Sequence, residues 1–191
     1  CIVDGCGAEQ TPFKTITWAL QMIMPSENNP ITIHLAEGTF LPSNTGENFP
    51  IVMVSNVNLI GEGEEITIID AQQTSRVIIM EYCDNNIISD LTITGGFVYD
   101  YSPLTHGGGM YIYSSNPTFN NVTISNNTAE YGGGMFLDSS NPTLTHVTIS
   151  NNTADYGGGM FLWESNPILN NVTISNNTAD YGGGGMLLFE S

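Results

Sequence analysis

From residue 116 to the end of the chain, short apolar runs return at a fixed interval, separated by clusters of asparagine and glycine. Asn116, Asn141 and Asn166 mark a 25-residue step, and Gly132 and Gly157 keep it. Self-similarity at such a period is the signature of a stacked-repeat architecture. Inside each unit, Val-Thr-Ile-Ser at 122–125, 147–150 and 172–175 alternates apolar and polar positions, the period of a half-buried strand. A second strand, Met135-Phe136-Leu137 and its equivalents, follows three glycines. A third, shorter one is expected at Thr118-Phe119, Thr143-Leu144 and Ile168-Leu169. Three short strands in 25 residues exclude a helical repeat. One unit alone buries too little apolar surface, whereas equivalent strands stacked in parallel about 4.8 Å apart enclose one core. The pattern predicts an all-β fold, a three-sheet right-handed parallel β-helix, with Val122, Ile124, Met135 and Leu137 facing inward.

The punctuation between strands fits that architecture. Asn-Pro breaks the chain before the first strand, Asn-Asn-Thr turns it after the second, and the glycines permit positive φ before the last. Asn126, Asn151 and Asn176 are expected to stack into a ladder whose amides bond along the axis. The last unit carries one extra glycine within 182–185, read as a local bulge that brings Glu190 level with Glu164. Upstream, Ile88, Leu91 and Ile93 align with Phe119, Val122 and Ile124, after which residues 97–106 form an insertion. Earlier strands are expected at 31–35, 51–54, 57–60 and 66–69. Thr11-Pro12 is a helix start, and Phe13, Ile16, Leu20 and Ile23 then recur on one face until Pro25. An amphipathic helix there would plug the open end of the core and shield unpaired strand edges. No such plug is visible at the C-terminal end. The whole reads as one domain over 1–191: an N-terminal cap at 1–30, irregular rungs at 31–115 and regular repeats at 116–191.

Composition narrows the partners. Nineteen Asp and Glu stand against two Lys and Arg, a formal net charge of -17, so phosphates and acidic polysaccharides are repelled. Nucleic acid is excluded as a partner, and Lys14 and Arg76 make no basic patch for an anionic membrane. Apolar runs such as 77–80 fall far short of the roughly 20 residues of a membrane-spanning helix. The chain opens at Cys1 without a Met and stops inside a repeat, which reads as a piece of something longer. Cys1 and Cys6 are close enough to form a small disulfide loop, while Cys83, in an apolar segment, reads as a small buried hydrophobe.

The blocks TPFKTITWAL, ITIHLAEGTF, VNLIGEGEEITIIDA and DLTITGG resemble the opening of secreted bacterial right-handed β-helix proteins of the pectin-lyase-like superfamily. The repeats NNVTISNNTAEYGGGM resemble those of polymorphic outer-membrane proteins. The resemblance covers nearly the whole chain and implies an extracellular or cell-surface location. It leaves function open, because one fold hosts lyases, hydrolases, adhesins and surface spacers. A lyase site of the kind the resemblance implies needs acidic calcium ligands and a base, usually Arg, beside a uronate. Arg76 and Lys14 are the only candidates, and both lie outside the regular repeats. Two carboxyls suffice for a glycoside hydrolase, but here the acids are themselves part of the repeat rather than breaks in it. His34, His106 and His146 form no metal-ligand pattern.

Candidate surfaces remain. Glu130, Asp155 and Asp180 occupy one column, where Ca²⁺ held with neighbouring asparagine oxygens would relieve their repulsion; solvation and splayed rotamers would also do so. Beside it runs a tyrosine column, Tyr131, Tyr156 and Tyr181. If Met135 and Leu137 point in, alternation sends Tyr111, Phe136 and Phe161 out as a second aromatic stripe for sugar rings or a neighbouring fibre; the opposite parity would bury them. The column Tyr113, Asp138 and Trp163 varies by rung, as an exposed face would. Rows of Thr123, Thr148 and Thr173 beside Ser125, Ser150 and Ser175 match ice-binding solenoids if their sheet is flat and uncharged, though ordinary β-propensity also places them. Sequons such as Asn121-Val-Thr123 and Asn126-Asn-Thr128 are acceptors only in a host that glycosylates them. The reading is a non-catalytic extracellular solenoid, an adhesive or fibre-forming unit whose partners are copies of itself, a neutral glycan or a cell surface. A β-helix that binds or cleaves carbohydrate near the insertion or the aromatic columns is the alternative, favoured if non-repeating carboxyls converge there. Ice binding is a third.

Overall fold

A computed structural model describes residues 7–99 and 105–191. The Cys1–Cys6 pairing and the middle of the insertion lie outside those residues. The chain winds into a right-handed parallel β-helix with three sheets. The longest path runs Ile31–His34, Val57–Ile60, Ile87–Thr94, Thr118–Ser125, Thr143–Ser150 and Ile168–Asn170, one strand per rung over six rungs. Pairing between the regular rungs keeps the 25-residue step, Val122 against Val147 and Met135 against Met160. Val122, Ile124, Met135 and Leu137 face the lumen with no exposed surface. The expected bulge is present in the last rung, where Ala154 pairs with Ala179 but Tyr156 with Gly182. Met160 consequently pairs with Met186.

Two expectations about the rung need correction. Thr118-Phe119 and Val-Thr-Ile-Ser belong to a single strand, Thr118–Ser125, kinked at Asn121, whose φ is 51°. The kink adds one residue, so Phe119 and Val122 both point inward, and the break in alternation looks like a strand boundary. The second sheet around the rung is formed instead by Thr128–Tyr131, Thr153–Tyr156 and Thr178–Gly182, and the third by the series that includes Met110–Tyr113, Met135–Asp138, Met160–Trp163 and Met186–Phe189. The inward residue of the second sheet is only Ala129 or Ala154, too small to register as a core position by pattern.

The asparagine ladder also sits one residue later than expected. Asn126, Asn151 and Asn176 adopt φ of 55–56° and are exposed; they turn the corner. Asparagine tolerates this left-handed region better than other non-glycine residues because its short amide bonds locally. The ladder is Asn127, Asn152 and Asn177. The Asn127 backbone N–H and side-chain amide both donate to Asn152 Oδ1 at 3.0 Å, and Asn152 repeats this with Asn177 at 2.9 and 3.0 Å. The Asn152 amide also donates to the Ile124 carbonyl at 2.9 Å. A second corner carries a hydroxyl ladder. The backbone N–H of Ser115 donates to Ser140 Oγ at 3.1 Å, and that of Ser140 to Ser165 Oγ at 3.0 Å. Cys83 tops this series, its N–H donating to Ser115 Oγ at 2.8 Å and its thiol to the Met53 carbonyl. It is buried as expected, because it occupies the serine position of an early rung.

Glycines set the distance between rungs. A Cβ on Gly133 would lie 2.4 Å from the Thr153 carbonyl oxygen and 2.6 Å from that of Gly158, so no larger residue fits without parting the stack.

The N-terminal helix, Ile16–Met22, starts later than the pattern suggested, with Thr15 as N-cap accepting from the Trp18 N–H. Ile16 and Ala19 are buried, and Leu20 and Ile23 pack against the lumen's first apolar residues. Glu47, 30 residues on and almost fully buried, receives the N–H groups of Ile16 at 2.5 Å and Thr17 at 3.0 Å. A carboxylate against a helix start satisfies free donors and the helix dipole together.

Asn152→Ala strands the donors of Asn127 and the Ile124 carbonyl and should cost about 2–4 kcal/mol by urea unfolding. Asn151→Gly should be nearly silent, and Asn151→Val should cost about 1–2 kcal/mol through left-handed strain. Glu47→Ala should release the cap, lowering stability by about 1.5–3 kcal/mol and accelerating hydrogen exchange at the Ile16 and Thr17 amides.

Candidate functional site

The outer face of the third sheet gathers six aromatic side chains, Tyr111, Tyr113, Phe136, Phe161, Trp163 and Phe189. Along Met110–Tyr113, Met135–Asp138, Met160–Trp163 and Met186–Phe189, alternate residues leave the lumen. One outward column is Ile79, Tyr111, Phe136, Phe161 and Leu187; the next is Glu81, Tyr113, Asp138, Trp163 and Phe189.

The outward parity expected for Tyr111, Phe136 and Phe161 is correct, but their role as a surface stripe is not. They are 6%, 4% and 4% exposed and form a second apolar cluster outside the main core. The tyrosine column packs onto them: Tyr131 meets Phe161 edge-on at 5.4 Å, and Tyr131 and Tyr156 partly bury the cluster. Tyr131 and Tyr156 are also stacked on each other, 5.2 Å apart and 9° from parallel, and Tyr181 follows at 5.3 Å. A sugar ring stacks on an aromatic face, and along this column neighbouring tyrosines cover one another's faces. Tyr181 is 72% exposed.

The insertion folds back onto this face. The His106 ring lies 4.4 Å over Phe136 at 11° and meets Tyr131 edge-on. Arg76 anchors the return: its Nε donates to the carbonyls of His106 and Gly107 at 2.9 Å, and its guanidinium lies 5.2 Å above Tyr111. Burial lowers the Arg76 pKa to about 10, with Tyr111 and Glu81 opposing the shift. With its guanidinium spent in this way, Arg76 is not presented as a base for a uronate. Burial, and then Arg76, also pull His106 below the ordinary imidazole value, so it is neutral at neutral pH. Tyr111 is pushed up to about 12 by burial first, then by Asp138 and Glu81.

The acidic column is engaged by the same insertion. Thr105 donates its hydroxyl to Glu130 at 2.6 Å, and the Tyr99 hydroxyl donates to Asp155 at 2.5 Å. Asp180 falls at the bulge, out of register with Asp155. Among the described residues no three His, Cys, Asp or Glu side chains come together as a metal-binding group. The threonine rows fail the flat, uncharged condition. Glu64 reaches over them, its carboxylate accepting from Thr123 at 2.9 Å and its carbonyl from Thr92 at 2.6 Å, and the Asn121 kink bends the strand.

The exposed part of the face is the second outward column. Trp163 and Phe189 are 38% and 44% exposed and stack 4.5 Å apart. Tyr82, 67% exposed at the adjoining corner, meets Tyr113 edge-on at 5.0 Å. Its hydroxyl is raised above the usual phenol range, first by its hydrogen bond with Tyr113. Two rungs of the column carry carboxyls instead of rings, Glu81 and Asp138, on either side of Tyr113. Trp163 was visible in sequence as part of a varying column. Tyr82 and Phe189 were not assigned: Tyr82 lies in an irregular rung, and Phe189 joins the column only through the bulge.

Among solved structures, the fold is similar to pectin methylesterase PemA from Erwinia chrysanthemi, with a TM-score of 0.55 and 16% identity over 96% of this chain and 58% of that one. It is also similar to pectin methylesterase from Yersinia enterocolitica, with a TM-score of 0.52 and 17% identity over 82% of this chain and 55% of that one. The chain thus spans little more than half of either enzyme. Among curated proteins, metabotropic glutamate receptor-like protein P of Dictyostelium discoideum is 34% identical over 126 residues, 65% of this chain but 8% of that protein. No helix among the described residues is long and apolar enough to cross a membrane. The model of the DUF1565 family, described as a protein of unknown function, matches residues 4–186, and the chain belongs to that family.

Proposed function

We propose that this chain is an extracellular carbohydrate-binding β-helix that holds a glycan without acidic groups against the outer face of its third sheet. The observation that carries the reading is the column of Glu81, Tyr113, Asp138, Trp163 and Phe189, in which Glu81, Trp163 and Phe189 are exposed and Tyr113 and Asp138 half-buried, bordered by exposed Tyr82. Exposed rings accept the apolar faces of sugars, and adjacent carboxylates accept hydrogen bonds from their hydroxyls. Such carboxyls beside an insertion are what a pure spacer does not need. The fold also supports the reading, since the enzymes it resembles are named for pectin. An acidic glycan fits poorly, because the cation nearest the face, Arg76, is 6% exposed and bonded to carbonyls.

A structural solenoid is the second reading. It is favoured by the tyrosine column, whose rings are stacked on one another rather than open to a ligand.

Trp163 fluorescence separates the two, measured in a Trp18→Phe chain because Trp18 is the other tryptophan. Titration with neutral oligosaccharides should change the signal at one class or more, and Phe189→Ala should weaken that binding about tenfold, roughly 1.4 kcal/mol. Oligogalacturonate should leave the signal unchanged. Reducing ends counted in the same samples should stay constant for a binder and rise for a hydrolase. Silence toward every glycan without acidic groups, neutral or amine-bearing, would hand the face to the structural reading.

A further inference from the structure

The glycan face is strongly one-signed. Register puts Glu81, Tyr113, Asp138, Trp163 and Phe189 on successive rungs. With a rung height of about 4.8 Å, the two carboxylates stand roughly 10 Å apart with a tyrosine between them and open rings beyond. Lys14, the other of the chain's two Lys and Arg residues, lies just before the N-terminal helix, which packs against Ile51–Val52 at the first edge of this sheet, the opposite edge from Phe189. The Tyr111 pKa is raised by burial and then by Asp138 and Glu81, and that of Tyr131 by burial and then by Glu130. A neutral sugar would leave Glu81 and Asp138 without counter-charge, and an acidic one would be repelled by them and by the net charge of -17.

We infer that the partner of this face is an amino-sugar polymer, a glycan whose pyranose rings carry free ammonium groups. The inference rests on the carbohydrate-binding reading above and names its ligand class. Each part of such a chain has a counterpart here: the apolar ring face lies on Trp163, Phe189 or Tyr113, and the ammonium meets Asp138 or Glu81. A cation held over an aromatic ring also gains from the ring's quadrupole. Because these pairs lie at the surface, their attraction is open to screening by salt. A basic peptide satisfies the carboxylates but offers no pyranose face to the rings, which is why the sugar is favoured over it.

The test uses the Trp18→Phe chain and three probes: a glucosamine oligomer, the N-acetylated oligomer of the same length, and oligolysine. The free-amine oligomer should bind at least tenfold more tightly than its acetylated form, and its affinity should fall several-fold from about 50 to about 300 mM salt. Glu81→Gln combined with Asp138→Asn should weaken the amine form about tenfold and flatten its salt dependence, with thermal melting confirming the fold. Equal affinity for the amine and acetylated oligomers would overturn this inference and keep carbohydrate binding. Binding of neither oligomer, nor of any other glycan, would overturn both. Oligolysine bound as tightly as the glucosamine oligomer would show that charge alone is recognised and would also overturn the inference.

Discussion

In the rungs of this molecule a strand side chain stands beside the equivalent side chain of the next rung, about 4.8 Å away along the axis. That spacing rules what each column can contain. Apolar residues stack into a continuous core, and glycines 133 and 158 allow the backbones to approach at the corner. Asparagines and serines survive inside because each donates along the axis to its copy: Asn127 to Asn152 to Asn177, and Ser115 to Ser140 to Ser165. Buried polar groups are tolerable only when such partners are present. Cys83 confirms the role of the column, since the one early rung without serine there keeps the same backbone bonds.

The same rule explains the outside of the third sheet. Aromatic residues repeated at one position stack face to face, as Tyr131 does on Tyr156 and Phe136 on Phe161, and so consume the surfaces a ligand would use. Repetition therefore builds a wall, and departures from repetition leave openings. Glu81, Tyr113, Asp138, Trp163 and Phe189 differ from rung to rung, and although Trp163 and Phe189 also stack on each other, 4.5 Å apart, both remain more than a third exposed in a column that carries carboxylates. The insertion acts in the same region. His106 and Arg76 close the early end of the buried aromatic cluster, while Thr105 and Tyr99 take up the acids of the adjacent column.

Much of the fold was legible because a stacked repeat writes its geometry into the sequence. The strict recurrence at Asn116, Asn141 and Asn166 set the rung, alternation at 122–125 set the inward residues, and the extra glycine near 182 announced the bulge seen between Tyr156 and Gly182. What failed did so for local reasons. The left-handed Asn121 disguised one strand as two, the small Ala129 hid a whole sheet, and two adjacent asparagines could not be told apart as corner and ladder.

The sequence by itself determined the solenoid, its period, its core columns and the sign of its charge, since these depend on residues a fixed step apart. Only the tertiary structure decided which outward columns are free. Phe136 points away from the lumen as its parity requires, yet it is buried because Tyr131, five residues earlier, and His106, from an insertion of unrelated sequence, pack over it. Glu47 likewise reaches the helix start from 30 residues away. Contacts between columns on different sheets, or between an insertion and a sheet, follow no period, so no regularity in the chain could reveal them.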